Sequence, residues 1–321
     1  MIPAVDIVIV NWNSGEQLSN CLRSIAQTGR KGFSLGSVIV VDNCSTDHSL
    51  EGIDQFGLPL QLLCNSQNRG FAAACNQGAS AGRGEYVLFL NPDAELYADS
   101  LEKPLAFIGA PEAEKIGIVG IQLVDENGEI ARSSARFPQP RDLCGKAVGL
   151  DKVLPGRFPG FVLTGWDHAD SRTVDHVIGA FFLVRRRLFE GLKGFDESFF
   201  VYLEDLDFSL RASKAGWKSY YLAEARAFHK GGGTSDQVRA RRVYYSLNSR
   251  IIYSFKNHST AAASLFTFLS LCVEPLVRLG YGARGNLLQN TSNTARAYLC
   301  LYGNLFSLLS TIRRTLHVGK G

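Results

Sequence analysis

The chain has no dense basic stripe interleaved with aromatics, no C-x-x-C pair, and no glycine-rich phosphate loop after its first apolar run. Each absence removes a class of function. Without the stripe, a formal charge of +4 is too mild for a nucleic-acid binder, and no nucleic-acid partner is expected. The seven cysteines (Cys21, Cys44, Cys64, Cys75, Cys144, Cys272 and Cys300) are scattered and odd in number. They offer neither a zinc site nor a disulfide framework and suit a reducing compartment. No positively charged segment leads into a long apolar stretch at the N-terminus, so no signal peptide is expected and the chain reads as cytoplasmic. After Val10 comes Asn11-Trp12-Asn13-Ser14, where a dinucleotide fold needs G-x-G-x-x-G and a P-loop needs Gly-Lys-Ser/Thr. There is no internal repeat and no low-complexity tract. What remains is a chain of 321 residues, 45% hydrophobic and 20% charged, long enough for one full α/β core with an appendage.

The first half alternates strand and helix patterns. Val5 to Val10 is continuously apolar apart from Asp6, the mark of a strand buried on both faces. Leu18, Cys21, Leu22 and Ile25 then recur at helical spacing. Further strands are expected at residues 37–41, 60–64, 86–90 and 116–124, with a helix at 71–81. Such alternation implies a mostly parallel sheet flanked by helices. Ligands then bind beyond the carboxyl ends of the strands. Asp125-Glu126-Asn127-Gly128 is a hairpin signal. Residues 136–173, which include Pro138, Pro140, Pro155 and Pro159, lack periodicity and read as an irregular insertion. A strand at 174–184, a helix at 204–215 and a strand at 219–228 follow.

Chemistry-bearing residues stand where the apolar runs end. Asp42 follows the second run and suits a pyrimidine N3–H or a ribose hydroxyl, while Ser45 and Asp47 read equally well as a turn capping the next helix. Asn68-Arg69-Gly70 is by itself only a turn. Asn91-Pro92-Asp93-Ala94-Glu95 closes the 86–90 strand. Acids there suit a hard divalent cation, Mg²⁺ or Mn²⁺, and an Asx turn is the plain alternative. Glu204 and Asp205 open a helix, where the macrodipole alone justifies acids by ~0.3–1 kcal/mol. One of them also suits a general base. His229 ends a strand ahead of Gly231-Gly232-Gly233 and is a candidate metal ligand.

In this order the motifs Val-Asn-Trp-Asn, Val-Asp-Asn-Cys-Ser-Thr-Asp, Asn-Arg-Gly-Phe, Phe-Leu-Asn-Pro-Asp, Gly-Ala-Phe-Phe-Leu-Val-Arg-Arg, Gly-Phe-Asp-Glu and Glu-Asp-Leu-Asp resemble the inverting family-2 glycosyltransferases of GT-A fold, in their rhamnosyltransferase-like branch. The resemblance covers roughly residues 4–256. It implies a nucleotide-diphosphate-sugar donor bound by Asn11, Asn13, Asp42, Asn68, Asn91 and Asp93, and a divalent metal held by Asp93 and His229 with Glu95 in reserve. It further implies Asp205 as general base beside Glu204, and Arg185 on the acceptor side. Asn91 replaces the first acid of the Asp-x-Asp found in many relatives. The implied reaction is transfer of a sugar, best L-rhamnose from dTDP-L-rhamnose, to a hydroxyl of a glycan or polyprenyl-diphosphate-linked acceptor, with a UDP-hexose as alternative donor. A non-catalytic sugar-nucleotide-binding protein would have shed the base or metal positions, yet Asp93, Asp205 and His229 are present.

Domains are expected at 1–256 (donor half 1–124, acceptor and catalytic half 125–256) and 257–321, a helical tail. Residues 259–273 and 297–312 are uncharged but shorter than the ~20 apolar residues of a spanning helix. Peripheral docking on the inner face of the plasma membrane, aided by Arg239, Arg241, Arg242, Arg250, Lys256, Arg278 and Arg284, is one reading. A hairpin packed on the domain or forming a homodimer interface is the other.

Overall fold

The computed structural model describes residues 2–231, 239–282 and 287–318. Gly232, Gly233 and Arg284, singled out in the sequence, lie outside them. The chain forms two compact units. One comprises residues 1–137, 162–197 and 204–234; the other comprises 138–161, 198–203 and 235–321.

The first unit is built on strands β1 (Ala4–Asn11), β2 (Ser34–Asp42), β3 (Leu60–Cys64), β4 (Tyr86–Leu90), β5 (Ala94–Leu96), β6 (Ile116–Val124), β7 (Ser134–Ala135), β8 (Arg172–Val174), β9 (His176–Val177), β10 (Phe181–Arg185) and β11 (Lys218–His229). Its main sheet runs β3-β2-β1-β4-β10-β6-β11-β5, with β8 on β11, and β7 pairs with β9. The β3-β2-β1-β4 half is parallel. β10 lies antiparallel between β4 and β6, and β5 antiparallel on β11, so the sheet is mixed. Helices α1 (Glu16–Gln27), α2 (Phe71–Ala81) and α3 (Glu102–Gly109) follow β1, β3 and β5.

The period-2 alternation of each strand divides the core into two layers. Val5, Ile7 and Ile9 of β1 pack with α1 and with Tyr86, Leu88 and Leu90 of β4. Val8 and Val10 join Ala72, Ala74 and Cys75 of α2 on the other face. There an aromatic group forms around Phe89, whose ring centroid lies 5.0 Å from that of Phe189 and 4.9 Å from that of Phe195. Phe208, 5.4 Å from Phe195, brings in the helix that starts at Glu204. The Asp125 turn closes as expected, with Gly128 at φ 78° and the Asp125 N–H bonded to the Glu129 carbonyl.

The ends of the sheet differ. At the amino end of β1, Asp6 is 1% exposed and accepts from the Ser37 N–H, the Gly84 N–H and the Arg186 guanidinium at 2.6–2.8 Å. Gly36, Gly82 and Gly84 crowd this carboxylate so closely that a Cβ on any of them would collide with Asp6. Beside it, Arg185 donates to the carbonyls of Ile108, Ala113 and Ile116.

The second unit is helical: α4 (Pro140–Ala147) and α5 (Leu150–Val153) belong to it, while α6 (Arg186–Gly191) and α7 (Glu204–Lys214) belong to the first. It continues with α8 (Arg239–Asn257), α9 (Thr260–Phe268), α10 (Glu274–Gly282), α11 (Leu287–Gly303) and α12 (Leu305–Val318). The sequence led us to expect a boundary at residue 256, whereas this unit also includes residues 138–161, 198–203 and 235–256. α8 packs against α9, α11 and α12, and its buried Arg250 reaches Glu274 of α10 at 2.8 Å. The insertion likewise contributes α4, whose amino end is closed by a reciprocal Gln139–Asp142 capping box. The short uncharged run at 259–273 also grows. α9 continues through one π turn into α10, so the helix Thr260–Gly280 has 21 residues, enough by length and composition to cross a membrane. Glu274 does not interrupt it, because Arg250 and Arg278 both neutralise its carboxylate at 2.8 Å.

Candidate active site

The carboxyl ends of β1 and β2 meet side by side, with Asn11 in register with Asp42. Asn11 is fully buried. Its amide donates to Asp42 Oδ1 at 2.8 Å, Ser49 Oγ at 2.8 Å and Ser45 Oγ at 3.1 Å, and its carbonyl accepts from Ser14. The side chain is thereby spent on the protein. Asn11, expected as a donor contact, here braces the loops from beneath. Asp42 holds Asn11 and the Ser45 hydroxyl on Oδ1, and only the Ser45 N–H, at 3.0 Å, on Oδ2. Asn13 and Cys44 take positive φ of 50° and 65°, uncommon for non-glycine residues. Asn13 accepts from the Thr46 N–H at 2.7 Å, so the two loops are tied across the strand ends. Asn68 makes an Asx turn to the Gly70 N–H at 2.9 Å. Asn43, which sequence reasoning passed over, anchors that turn by donating to the Gly70 carbonyl at 3.0 Å and accepting from Asn65 at 3.0 Å.

At the end of β4, the Asn91 N–H bonds to the Ala180 carbonyl at 3.1 Å, while its half-buried carboxamide has no hydrogen-bond partner among the described residues. The segment closes as a backbone β-turn and not an Asx turn, since the Ala94 N–H returns to the Asn91 main-chain carbonyl at 3.1 Å. β5 then pairs with the end of β11, Ala94 opposite His229. This pairing carries His229 Nε2 to 3.4 Å from Asp93 Oδ1. That nitrogen is buried without a hydrogen-bond partner. Ligands about 2.1 Å from a small hard cation stand about 3 Å apart, so an orphaned imidazole nitrogen facing a carboxylate fits the two protein positions of a divalent-metal site. Among the described residues, no group of three or more His, Cys, Asp or Glu side chains is placed to hold a metal. The remaining ligands would come from a diphosphate and water.

Beyond Ala180, the chain entering β10 meets the start of α7. The Gly179 N–H donates to Asp205 Oδ2 at 2.7 Å, and the Leu206 N–H to Asp205 Oδ1 at 2.7 Å. A Cβ on Gly179 would stand 3.2 Å from Oδ2, so the close approach favours glycine. Tyr202 and Leu203, directly ahead of the acids, hold φ of 69° and 67°, backbone strain of the kind that gathers at functional sites. Glu204 is 4% exposed and its Oε2 lacks a hydrogen-bond partner. Burial, and then the Asp205 charge, push its carboxyl well above the usual range. The two acids thus separate physically: Asp205 is held by two N–H donors, while Glu204 is buried with one oxygen unpartnered. α7 itself is pinned by Arg211, which pairs with Asp207 at 2.8 Å and donates to the carbonyls of Leu192 and Gly194. In the same region, the Asn76 carboxamide makes a reciprocal pair with the Phe195 backbone at 2.8 and 2.9 Å.

Arg185, expected on the acceptor side, lies away from the strand ends that carry Asp42 and Asn91. It is in register with Tyr86 at the amino end of β4, the opposite end from Asn91, and its guanidinium is committed to backbone carbonyls. The run 174–184, read as one strand, breaks at Ile178–Ala180, and this break sets Gly179 against Asp205. A second residue missed in the sequence is His176 of β9, buried beside Asp205 with Nε2 3.6 Å from Oδ2. Only the sheet topology, through a sequence separation of 29 residues, places it there.

Residues 6–192 match Glycosyl transferase family 2. The chain is 26% identical over 284 residues to an N-acetylglucosaminyl-diphospho-decaprenol L-rhamnosyltransferase of Mycobacterium tuberculosis, covering 81% of this chain and 86% of that one. It is 32% identical over 172 residues to the rhamnosyltransferase WbbL of Escherichia coli, covering 53% and 61%. Among solved structures, a mannosyltransferase of Pyrobaculum calidifontis in complex with GDP-Man and Mn²⁺ superposes with a TM-score of 0.54 at 18% identity, over 98% of this chain and 86% of that one. GalNAc-T7 with UDP, GalNAc and Mn²⁺ gives 0.53 at 16%, over 84% and 54%. The sheet, its ligand edge and these likenesses agree on a GT-A glycosyltransferase fold with carboxyl-terminal helices, and the chain belongs to glycosyl transferase family 2.

Proposed function

We propose that the protein is an inverting rhamnosyltransferase that moves L-rhamnose from dTDP-L-rhamnose to a hydroxyl of a glycan or lipid-diphosphate-linked acceptor. The observation that carries the chemistry is Asp205, fixed by two backbone N–H groups at the strand-end edge while neighbouring Glu204 is withdrawn from solvent. The sugar assignment is supported by the two rhamnosyltransferases among the relatives.

In this reading Asp42 receives the N3–H of the base, with Asn13 and Asn68 shaping the walls of the site. Asn91 turns its free carboxamide to the ribose or diphosphate. Asp93 and His229 would hold a divalent cation, which when bound neutralises charge growing on the departing diphosphate. Asp205 takes the proton of the acceptor hydroxyl as that oxygen attacks the anomeric carbon. The carbon–oxygen bond to the diphosphate breaks with its electron pair leaving on the nucleotide, and configuration inverts in this single displacement. The test is isothermal titration with dTDP-L-rhamnose, UDP-glucose, UDP-galactose and UDP-N-acetylglucosamine in the presence of Mn²⁺. Binding of dTDP-L-rhamnose supports the reading. Binding of a UDP-sugar and none of dTDP-L-rhamnose overturns the donor and leaves the family unaffected.

The helical unit fits an anionic bilayer surface on the cytoplasmic side. Phe306 is 90% exposed and Leu299 70%, and Leu265, Phe268 and Leu276 are exposed as well. After residue 256 the only acid is Glu274, buried in its arginine pairs, so the outer face is apolar and cationic. That combination favours interfacial docking on acidic headgroups. Glu274 also ties the 21-residue helix to α8, which argues for lying on the surface rather than spanning it.

A further inference from the structure

Asp205 has a buried neighbour whose protonation the hydrogen bonds determine. His176 is 4% exposed. Its Nδ1 lies 3.1 Å from Ser209 Oγ, and its Nε2 lies 3.6 Å from Asp205 Oδ2. Ser209 stands one helical turn after Asp205, and its hydroxyl donates to the Asp205 carbonyl at 2.9 Å.

A hydroxyl carries one proton. With that proton on the Asp205 carbonyl, Ser209 Oγ is an acceptor toward the ring, so Nδ1 carries the hydrogen and Nε2 is bare. Burial holds the imidazole pKa below its ordinary value, against the opposing pull of Asp205 and Asp175, the charged groups that bear on it. The ring is therefore neutral, and it aims a lone pair at the carboxylate. Two lone pairs at that distance repel weakly. A proton on Asp205 Oδ2 replaces the repulsion with attraction and lets the pair close from 3.6 Å to an O–H···N hydrogen bond.

We infer that His176 is the positioning residue of the base, its tautomer set by Ser209, so that it strengthens Asp205 as a proton acceptor through a hydrogen bond formed only as the acceptor proton arrives. The inference rests on the proposed role of Asp205. Its proton balance is simple. The acceptor O–H bond breaks, the proton goes to Asp205, the oxygen bonds to the anomeric carbon, and the nucleoside diphosphate leaves with the electron pair. His176 gains and loses no proton; it accepts a hydrogen bond. An interaction present in the transition state and absent from the ground state raises kcat without tightening substrate binding.

The experiment uses the full chain and follows nucleoside diphosphate release from dTDP-L-rhamnose, with water as acceptor, across pH. His176→Asn keeps a donor toward Ser209 and removes the acceptor at Nε2. Ser209→Ala frees the ring to place its hydrogen on Nε2, where it would stabilise ionised Asp205 instead. Both variants are expected to lower kcat about tenfold, the worth of one buried hydrogen bond. Both should move the acid limb of the kcat profile to lower pH by about one unit, and the donor KM should stay within about twofold, since only the transition state is touched. Wild-type ¹⁵N shifts should show His176 protonated at Nδ1 and bare at Nε2, a readout independent of turnover. An unmoved acid limb in Ser209→Ala, a limb moving to higher pH, or a ring protonated at Nε2 overturns the inference. Full turnover in Asp205→Asn would instead remove the base from this site, a separate failure that strikes the proposed function itself.

Discussion

Asparagine at position 205 would normally be called an isostere of aspartate, but the geometry here makes it a costly one. Both carboxylate oxygens accept backbone N–H groups, Gly179 on Oδ2 and Leu206 on Oδ1, each at 2.7 Å. A carboxamide has one acceptor oxygen. Whichever way it turns, its NH₂ faces one of the two N–H donors, and that part-buried N–H loses its partner. An unsatisfied buried donor costs about 1–3 kcal/mol, so Asp205→Asn should lower unfolding free energy by that amount in urea melts, with an unchanged m value. Loss of the proposed base should lower turnover by about 10²–10⁴. Donor affinity by titration should hold, because the proposed donor contacts Asp42, Asn91 and Asp93 are untouched. Asp205→Ala removes the acceptors together with the amide clash and should be just as inactive. Near-normal turnover in either variant, or an Asn variant as stable as wild type, would refute this account of the carboxylate.

Glu204→Gln should retain most activity and be more stable than wild type at neutral pH. Its raised folded-state pKa means the native state keeps a proton that the unfolded chain gives up. Wild-type stability is therefore full below the unfolded glutamate pKa and falls as pH rises toward the folded value, and the Gln variant should lack that slope in melts from pH 4 to 8. Asp93→Asn and His229→Ala should each weaken Mn²⁺ binding, read by electron paramagnetic resonance in the presence of nucleoside diphosphate; unchanged Mn²⁺ affinity in both would exclude the strand-end pair. Asn76→Ala opens the reciprocal pair with Phe195 and should cost about 2 kcal/mol in urea melts, with no loss signalling that water replaces both bonds. Phe306→Ser with Phe268→Ser should reduce co-sedimentation with phosphatidylserine-containing vesicles and spare nucleotide binding, and equal binding to neutral vesicles would count against the charge argument.

The central strands β1, β4 and β6 were legible because they are buried on both faces. Continuous apolar runs such as 86–90 and 116–124 coincide with β4 and β6, and the polar residues ending them mark the ligand edge. Less legible was anything set by closure between distant segments. Asn11 reads as a ligand residue until its four bonds to Ser14, Asp42, Ser45 and Ser49 are seen. Arg185 sits in a resemblance motif, yet the antiparallel run of β10 sends it to the far end; direction, unlike strandedness, leaves no trace in hydropathy. His176 was hidden because a single histidine in an apolar context has many reasons to exist. The helical unit's claim on α4 and α8 was equally hidden, since an amphipathic pattern shows that a face is buried and not against what.

The two ends of the sheet have opposite mechanical character. At the amino end, Asp6 is locked by two N–H donors and a guanidinium in a cage of glycines, and Arg185 ties β10 to three carbonyls beside it. A shift there must break several charge-assisted bonds at once. At the carboxyl end, the loops are joined mostly through asparagine and serine side chains, Asn11 to Ser45 and Ser49, Asn13 to Thr46 and Asn43 to Gly70, neutral bonds weaker one by one than those to Asp6. The sheet thus works as a cantilever clamped at one end. If the donor binds at this edge as proposed, rearrangement on its arrival is expected in the loops and not at the end held by Asp6.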